Sequence, residues 1–219
     1  MLFFSAMLAA AEAAHHDHTR NISIGTERLA AFSDGVIAII ITIMVLEFKV
    51  PQGASLGVLR PLVPVFLSYV LSFVYVGIYW NNHHHLLAVT ERVNGAVLWA
   101  NMHLLFWLSL TPFVTAWMGE NHFAPGPTAV YGTVLLAASL AYWILQGTIL
   151  RVPGQNKALG TALGRDIKGK LSPVLYVTAI ALAFVRPALS DAVYVLVALM
   201  WLVPDRRFER VASGRNEES

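Results

Sequence analysis

Cysteine is absent from this 219-residue chain, and charge is scarce: Asp, Glu, Lys and Arg make up 13% of it. The first absence excludes a disulfide framework, thiol catalysis and thiolate metal sites. The second excludes a water-soluble globule, in which about 25% of residues are charged. With 57% apolar residues, the natural solvent of the chain is lipid. The 15 Lys and Arg barely outnumber the 13 Asp and Glu, too small an excess for nucleic-acid binding by bulk charge. The carboxylates are scattered, with no pair that reads as acid/base machinery, and no phosphate-binding loop is present. An enzyme is not expected.

Charge-free stretches mark the membrane crossings, because each needs about 20 mostly apolar helical residues. Pro61 to Asn82, Val93 to Gly119 and Asn121 to Leu150 carry no formal charge and read as three helices. Gly35 to Leu46 is apolar except for Thr42, but lies between Asp34 and Glu47. Those 12 residues rise only about 18 Å, short of the ~30 Å hydrocarbon core. The helix is therefore expected from about Leu29 to Phe48, with at least one carboxylate at membrane depth. Leu171 to Val185 and Ala192 to Pro204 are shorter apolar runs, with Pro187 halting one helix and Ser190 capping the next. They read as two short spans, or else as a re-entrant hairpin. The fold class is all-α: a polytopic membrane protein with six transmembrane helices, or four and a hairpin.

Three regions follow. Residues 1–27 form an N-terminal extension expected to be flexible, 28–204 the membrane domain, and 205–219 a charged tail. Leu2 to Ala11 resembles a signal-peptide core, and Ala11-Glu12-Ala13 a cleavage site, but there is no basic segment before them. His15, His16 and His18 read as solvated. With six crossings, 12 of the 15 Lys and Arg fall on the side of the termini; only Lys49, Arg60 and Arg186 lie opposite. That bias places both termini in the cytoplasm, with the protein in the cell (inner) membrane.

Two motifs mislead. Gly53-Ala54-Ser55-Leu56-Gly57 matches the G-x-S-x-G of hydrolases, but no strand precedes it, so it reads as a loop. His83, His84 and His85 suggest a metal site, yet consecutive helical residues point about 100° apart and cannot converge on one ion. No metal and no cofactor are expected. One of these imidazoles is also a candidate partner for a buried acid.

That acid is Asp34. An ionisable group inside a span costs roughly 3 kcal/mol even on lenient scales and is a functional candidate. The plainer reading makes it a first-turn residue that offsets the helix dipole. The remaining signal is a stripe on the same helix, with Ile39, Ile43 and Leu46 at i, i+4 and i+7 and Thr42 at its edge. Periodicity alone does not separate core packing from pore lining.

Arg28-x-x-x-Phe32-Ser33-Asp34-Gly35-Val36, followed by Ala38-Ile39-x-x-Thr42, resembles the signature of the transmembrane protein 175 family of potassium channels. Trp80-x-x-His83-His84, Asn101, Pro112-Phe113-x-Thr115 and Trp201-Leu202-x-Pro204-Asp205-Arg206-Arg207 extend the resemblance over roughly residues 28–209. It implies a potassium-permeable channel without a carbonyl selectivity filter, its central pore lined by the first helix. The motif occurs once here, which implies a homotetramer. By position, Ile39 matches the main hydrophobic constriction, Ile43 and Leu46 further apolar rings, and Thr42 a polar selectivity layer. Arg28, Ser33, Asp34, Trp80, His83 and Asn101 match the bracing of the pore helix. Independently, no TVGYG-type filter sequence is present. The rival is a proton-coupled secondary transporter using Asp34 and histidines, though no internal repeat of the kind transporters show is visible.

Overall fold

The computed structural model describes residues 25–154 and 167–202. Among these residues the regular structure is entirely helical. Helix α1 (Gly25–Leu46) is followed by a 3-10 segment (Leu56–Leu62) that leads into α2 (Val63–Ala88). Then come α3 (Gly95–Ser109), α4 (Thr111–Glu120), α5 (Pro125–Leu150), α6 (Ile167–Val185) and α7 (Pro187–Leu202). Among the described residues five helical stretches are long and apolar enough to cross a membrane, α3 and α4 together forming one of them (Gly95–Glu120), and α7 is a shorter apolar helix. The protein is a multi-pass membrane protein.

Helix α1 lies earlier than the expected Leu29 to Phe48. It already includes Gly25 and stops at Leu46, where Glu47 and Phe48 enter a turn closed by the Phe48 N–H on the Val45 carbonyl at 3.3 Å. Asp34 therefore sits in the third turn and not the first, which removes its role as a dipole cap. Between α3 and α4 the helix breaks at one residue, Leu110. Pro112 has no N–H to give the Leu108 carbonyl, and Leu110 N–H bonds Trp107 three residues back instead.

Helix α4 ends in a Schellman turn, with Phe123 N–H on the Met118 carbonyl at 3.0 Å and His122 N–H on Gly119 at 3.1 Å. His122 and Phe123 take positive φ to make it, so α5 starts at Pro125, later than the apolar run suggested. At the last hairpin Pro187 begins α7 rather than merely ending α6, a position where its missing N–H costs nothing. Ser190 is consequently inside the helix and buried, not its cap. Trp201 Nε1 donates to Ser172 Oγ at 2.9 Å, joining the end of α7 to the beginning of α6, so the two run antiparallel. Gly53 and Ser55 lie in the exposed approach to the 3-10 segment, which is the loop reading of that motif. The signal-like start with its three histidines, most of the basic linker and the tail from residue 203 lie outside the described residues.

Two cores hold the bundle. Leu29, Ile37, Ile40 and Met44 of α1 pack with Val76, Leu86, Val97, Leu104, Leu108 and Leu145 from α2, α3 and α5. Tyr75, Val114, Met118, Tyr131, Tyr176 and Tyr194 join α2 and α4 through α7 in the second. Its tightest point is Gly132, where an added Cβ would meet Tyr194 Cζ at 2.8 Å and Ile180 Cγ1 at 2.9 Å. Tyr194 is pinned by its own hydrogen bond to the Thr128 carbonyl and cannot swing aside. Gly132→Val should therefore cost roughly 2–3 kcal/mol by overpacking. Gly147→Val, in open space on the same helix, is the control. Thermal unfolding in detergent, followed by tryptophan fluorescence, checks the pair; equal midpoints would refute the close approach.

Candidate functional site

Helix α1 has two apolar faces of nearly equal hydrophobicity, and only one is packed. Ile37, Ile40 and Met44 are 1–4% exposed, whereas Ile39, Ile43 and Leu46 are 57%, 40% and 78% exposed. The stripe picked out by periodicity is thus not core within the subunit. Thr42 is exposed beside it, and its hydroxyl donates to the Ile39 carbonyl at 2.9 Å, a bond to the helix's own backbone. Ile39 and Ile43 also line a groove whose far wall is Pro112, Phe113 and Trp117 of α4, with Glu47 and Glu120 at one end. Lys49, beyond the end of α1, pairs with Glu120, the last residue of α4, at 2.7 Å, and that hydrogen bond raises the Lys49 ammonium pKa above its ordinary value.

The first half of α1 is held by polar groups from two other helices. Trp80 Nε1 donates to Asp34 Oδ1 at 3.0 Å. Ser33 Oγ donates to the Leu29 carbonyl at 2.8 Å and accepts from Asn101 Nδ2 at 2.9 Å. Asn101 Oδ1 pairs with His83 Nε2 at 2.7 Å. Because the amide nitrogen is already donating to Ser33, its oxygen must accept, so His83 carries its proton on Nε2. Ser33, His83 and Asn101 are at most 1% exposed. At membrane depth such a chain is stable only when each member finds a partner.

Five of the six expected bracing residues meet here. Asp34 takes Trp80, and His83 takes Asn101 instead of the acid. Arg28 is exposed and lies outside the network. The three consecutive histidines diverge, as the 100° step requires: His83 is buried, while His84 is exposed with its ring 5.9 Å from that of Trp80. The sequence reading overlooked the α4 side of the groove and a second buried row, Thr115 to Ser72 at 2.7 Å and Ser72 to Tyr131 at 3.0 Å. Single hydroxyls 43 and 59 residues apart leave no local signal.

Trp80→Phe removes the indole donor and leaves the Asp34 carboxylate short of a partner. Asp34→Asn keeps an oxygen that can accept the same bond. Trp80 is 44% exposed, so the loss should be near the lower end for bonds to charged groups, about 1.5 kcal/mol. Trp80→Phe should thus lower the midpoint of thermal unfolding more than Asp34→Asn. The opposite ranking would show that the negative charge, and not the bond, holds α1.

An unpacked apolar stripe on a helix clamped by buried polar bonds defines a polytopic helical membrane protein organised around its first crossing. The model of the endosomal/lysosomal potassium channel TMEM175 family matches residues 28–112, which contain the whole network. A potassium channel of Chryseobacterium sp. (strain P1-3) is 54% identical over 183 residues, 84% of this chain and 95% of its own length. One from Streptomyces collinus is 32% identical, over 80% and 90% of the two chains. The crystal structure of a lysosomal potassium-selective channel TMEM175 homolog from Chamaesiphon minutus superposes with a TM-score of 0.67 at 30% identity, covering 82% of this chain and 97% of that one. The chain belongs to the TMEM175 family.

Proposed function

We propose that this protein is the subunit of a homotetrameric, potassium-permeable cation channel of the cell (inner) membrane, with both termini in the cytoplasm. Residues 28–204 form the channel domain, between the N-terminal extension and the charged tail. The observation that carries the reading is the exposed Ile39–Ile43–Leu46 stripe on a helix whose other face is fixed. Four such stripes around an axis make apolar rings that bar ions without using charge. Ile39 is the main constriction, with Ile43 and Leu46 as further rings. Thr42 is the polar layer: donating its hydrogen to the Ile39 carbonyl leaves its oxygen lone pairs free for a dehydrating cation. Ser33, Asp34, Trp80, His83 and Asn101 brace the pore helix, and Arg28, exposed on the subunit, takes no part in that bracing.

Relatives named potassium channel that match nearly their full length support the ion. The 12 basic residues on the side of the termini support the orientation. Against the transporter reading, Asp34 and His83 hydrogen-bond to different partners and form no relay with each other. Purified protein in liposomes should carry potassium down its gradient, equally with and without a proton gradient, and should crosslink to four copies. Flux that needs the proton gradient would favour the transporter, and monomers that still conduct would refute the shared pore.

A further inference from the structure

At the end of the bundle where α5 finishes and α6 begins, a cavity of about 40 Å³ lies between α2, α5, α6 and α7. Each of the four helices gives it an aromatic wall: Tyr79, Tyr142, Tyr176 and Trp201. Most polar atoms around it are already committed. The Tyr142 hydroxyl donates to the Asn82 carbonyl at 3.0 Å, and Ser172 Oγ accepts from Trp201 while donating to the Lys168 carbonyl at 2.8 Å. Two are not. Gln146 is 7% exposed, and among the described residues its amide makes no hydrogen bond, nor does the Tyr79 hydroxyl.

Those two groups and the carbon walls define the guest. An amide and a phenol both donate and accept, which matches a hydroxyl. No Asp, Glu, Lys or Arg among the described residues lines the space, so a bare ion would be buried without a counter-charge. An ammonium is further disfavoured by the Lys168 ammonium, 5.9 Å from the Trp201 ring. A water fills about 10–15 Å³, so there is room for about three non-hydrogen atoms. Walls so rich in carbon favour a guest that brings carbon along with its hydroxyl. The way in is from the membrane. Trp143 also lines the cavity and is 65% exposed, so the space reaches the outer surface of the bundle at a residue typical of the lipid interface. Lys168 stands beside it, and Arg151 and Lys170 are exposed at the same end. Positive charge around such an opening suits the phosphate of an anionic lipid.

We infer that this cavity binds the glycerol headgroup of an anionic phospholipid. The terminal hydroxyl meets Gln146 and Tyr79, and the phosphate stays outside, toward Lys168. A lipid seated there ties the end of α5 to the beginning of α6. This reading stands whether or not α1 lines a pore.

The test is thermal unfolding of the intact protein in detergent, titrated with dioleoyl phosphatidylglycerol, phosphatidic acid or phosphatidylcholine, or with free glycerol. The Tm should rise with phosphatidylglycerol and saturate. Phosphatidic acid keeps the charge but lacks the headgroup glycerol, and should need on the order of tenfold more. Gln146→Leu and Tyr79→Phe remove groups that bond nothing within the protein, so both should fold like wild type without lipid. Each should raise the half-saturating phosphatidylglycerol concentration several-fold and leave the response to phosphatidic acid unchanged. Equal responses to phosphatidylglycerol and phosphatidic acid would show that charge alone is read, and would overturn the site. A phosphatidylglycerol response unchanged in both variants places the lipid elsewhere and overturns it too. So does phosphatidylcholine acting as well as phosphatidylglycerol. Free glycerol giving the whole rise at the same concentration would assign the cavity to a soluble polyol. A Tm indifferent to every addition leaves it to water, and either result refutes the lipid.

Discussion

Ile39→Asn is expected to give a channel that leaks and no longer separates potassium from sodium. An apolar ring offers a dehydrating ion no ligand, so a small closure empties it of water. An amide ring stays wet, and hydrated ions of either kind pass. A rise in leak on the order of tenfold needs only about 1.4 kcal/mol off the barrier, well within reach of that change. Because Ile39 is 57% exposed in the subunit, the substitution leaves the core untouched, and yield should hold. Thr42→Ala should change the ratio of the two ions while assembly and leak stay near wild type. Single-channel recording with biionic solutions checks both. If the stripe faces lipid, Ile39→Asn instead places an amide in hydrocarbon. Protein yield then falls, and selectivity in the surviving channels stays as it was. That pattern would defeat the pore assignment.

The crossings were legible in the sequence because lipid tolerates so few charges that gaps between charges almost trace the helices. Their ends were not. Helix α1 runs through Ser33 and Asp34 without fraying because other helices supply their partners, and a single helix carries no sign of that. The face of α1 was equally hidden: Ile37, Ile40 and Met44 follow the same period as Ile39, Ile43 and Leu46. Only the neighbours decide which set is covered. At Asp34, Trp80 and His83 lie three residues apart on one side of α2, so either would serve from spacing alone. Asn101, contributed by α3, takes the imidazole and leaves the indole to the acid. The motif resemblance named these residues as a group without saying who bonds whom.

Asn101 is accordingly the residue whose loss should be felt most in assembly. Leucine shares the branching of asparagine at Cγ and is larger, so Asn101→Leu opens no cavity, and its main effect is the loss of the polar partners. His83 is 1% exposed, and its Nδ1 already has no partner among the described residues. Without the amide its Nε2–H is orphaned as well, and Ser33 loses its donor from α3. Unsatisfied buried groups cost about 1–3 kcal/mol apiece, so the substitution should cost roughly 2–4 kcal/mol. His83→Leu alone should be costly too, because it strands the Asn101 oxygen. Removing both partners leaves no stranded pair, so His83→Leu/Asn101→Leu should be more stable than the sum of the single losses by at least about 1 kcal/mol. The readout is the fraction of assembled protein surviving a heat step, measured by size exclusion in detergent. Strictly additive losses would show that His83 and Asn101 act separately. Wild-type survival of Asn101→Leu would show that α1 is held by its apolar face, with the polar chain contributing nothing measurable.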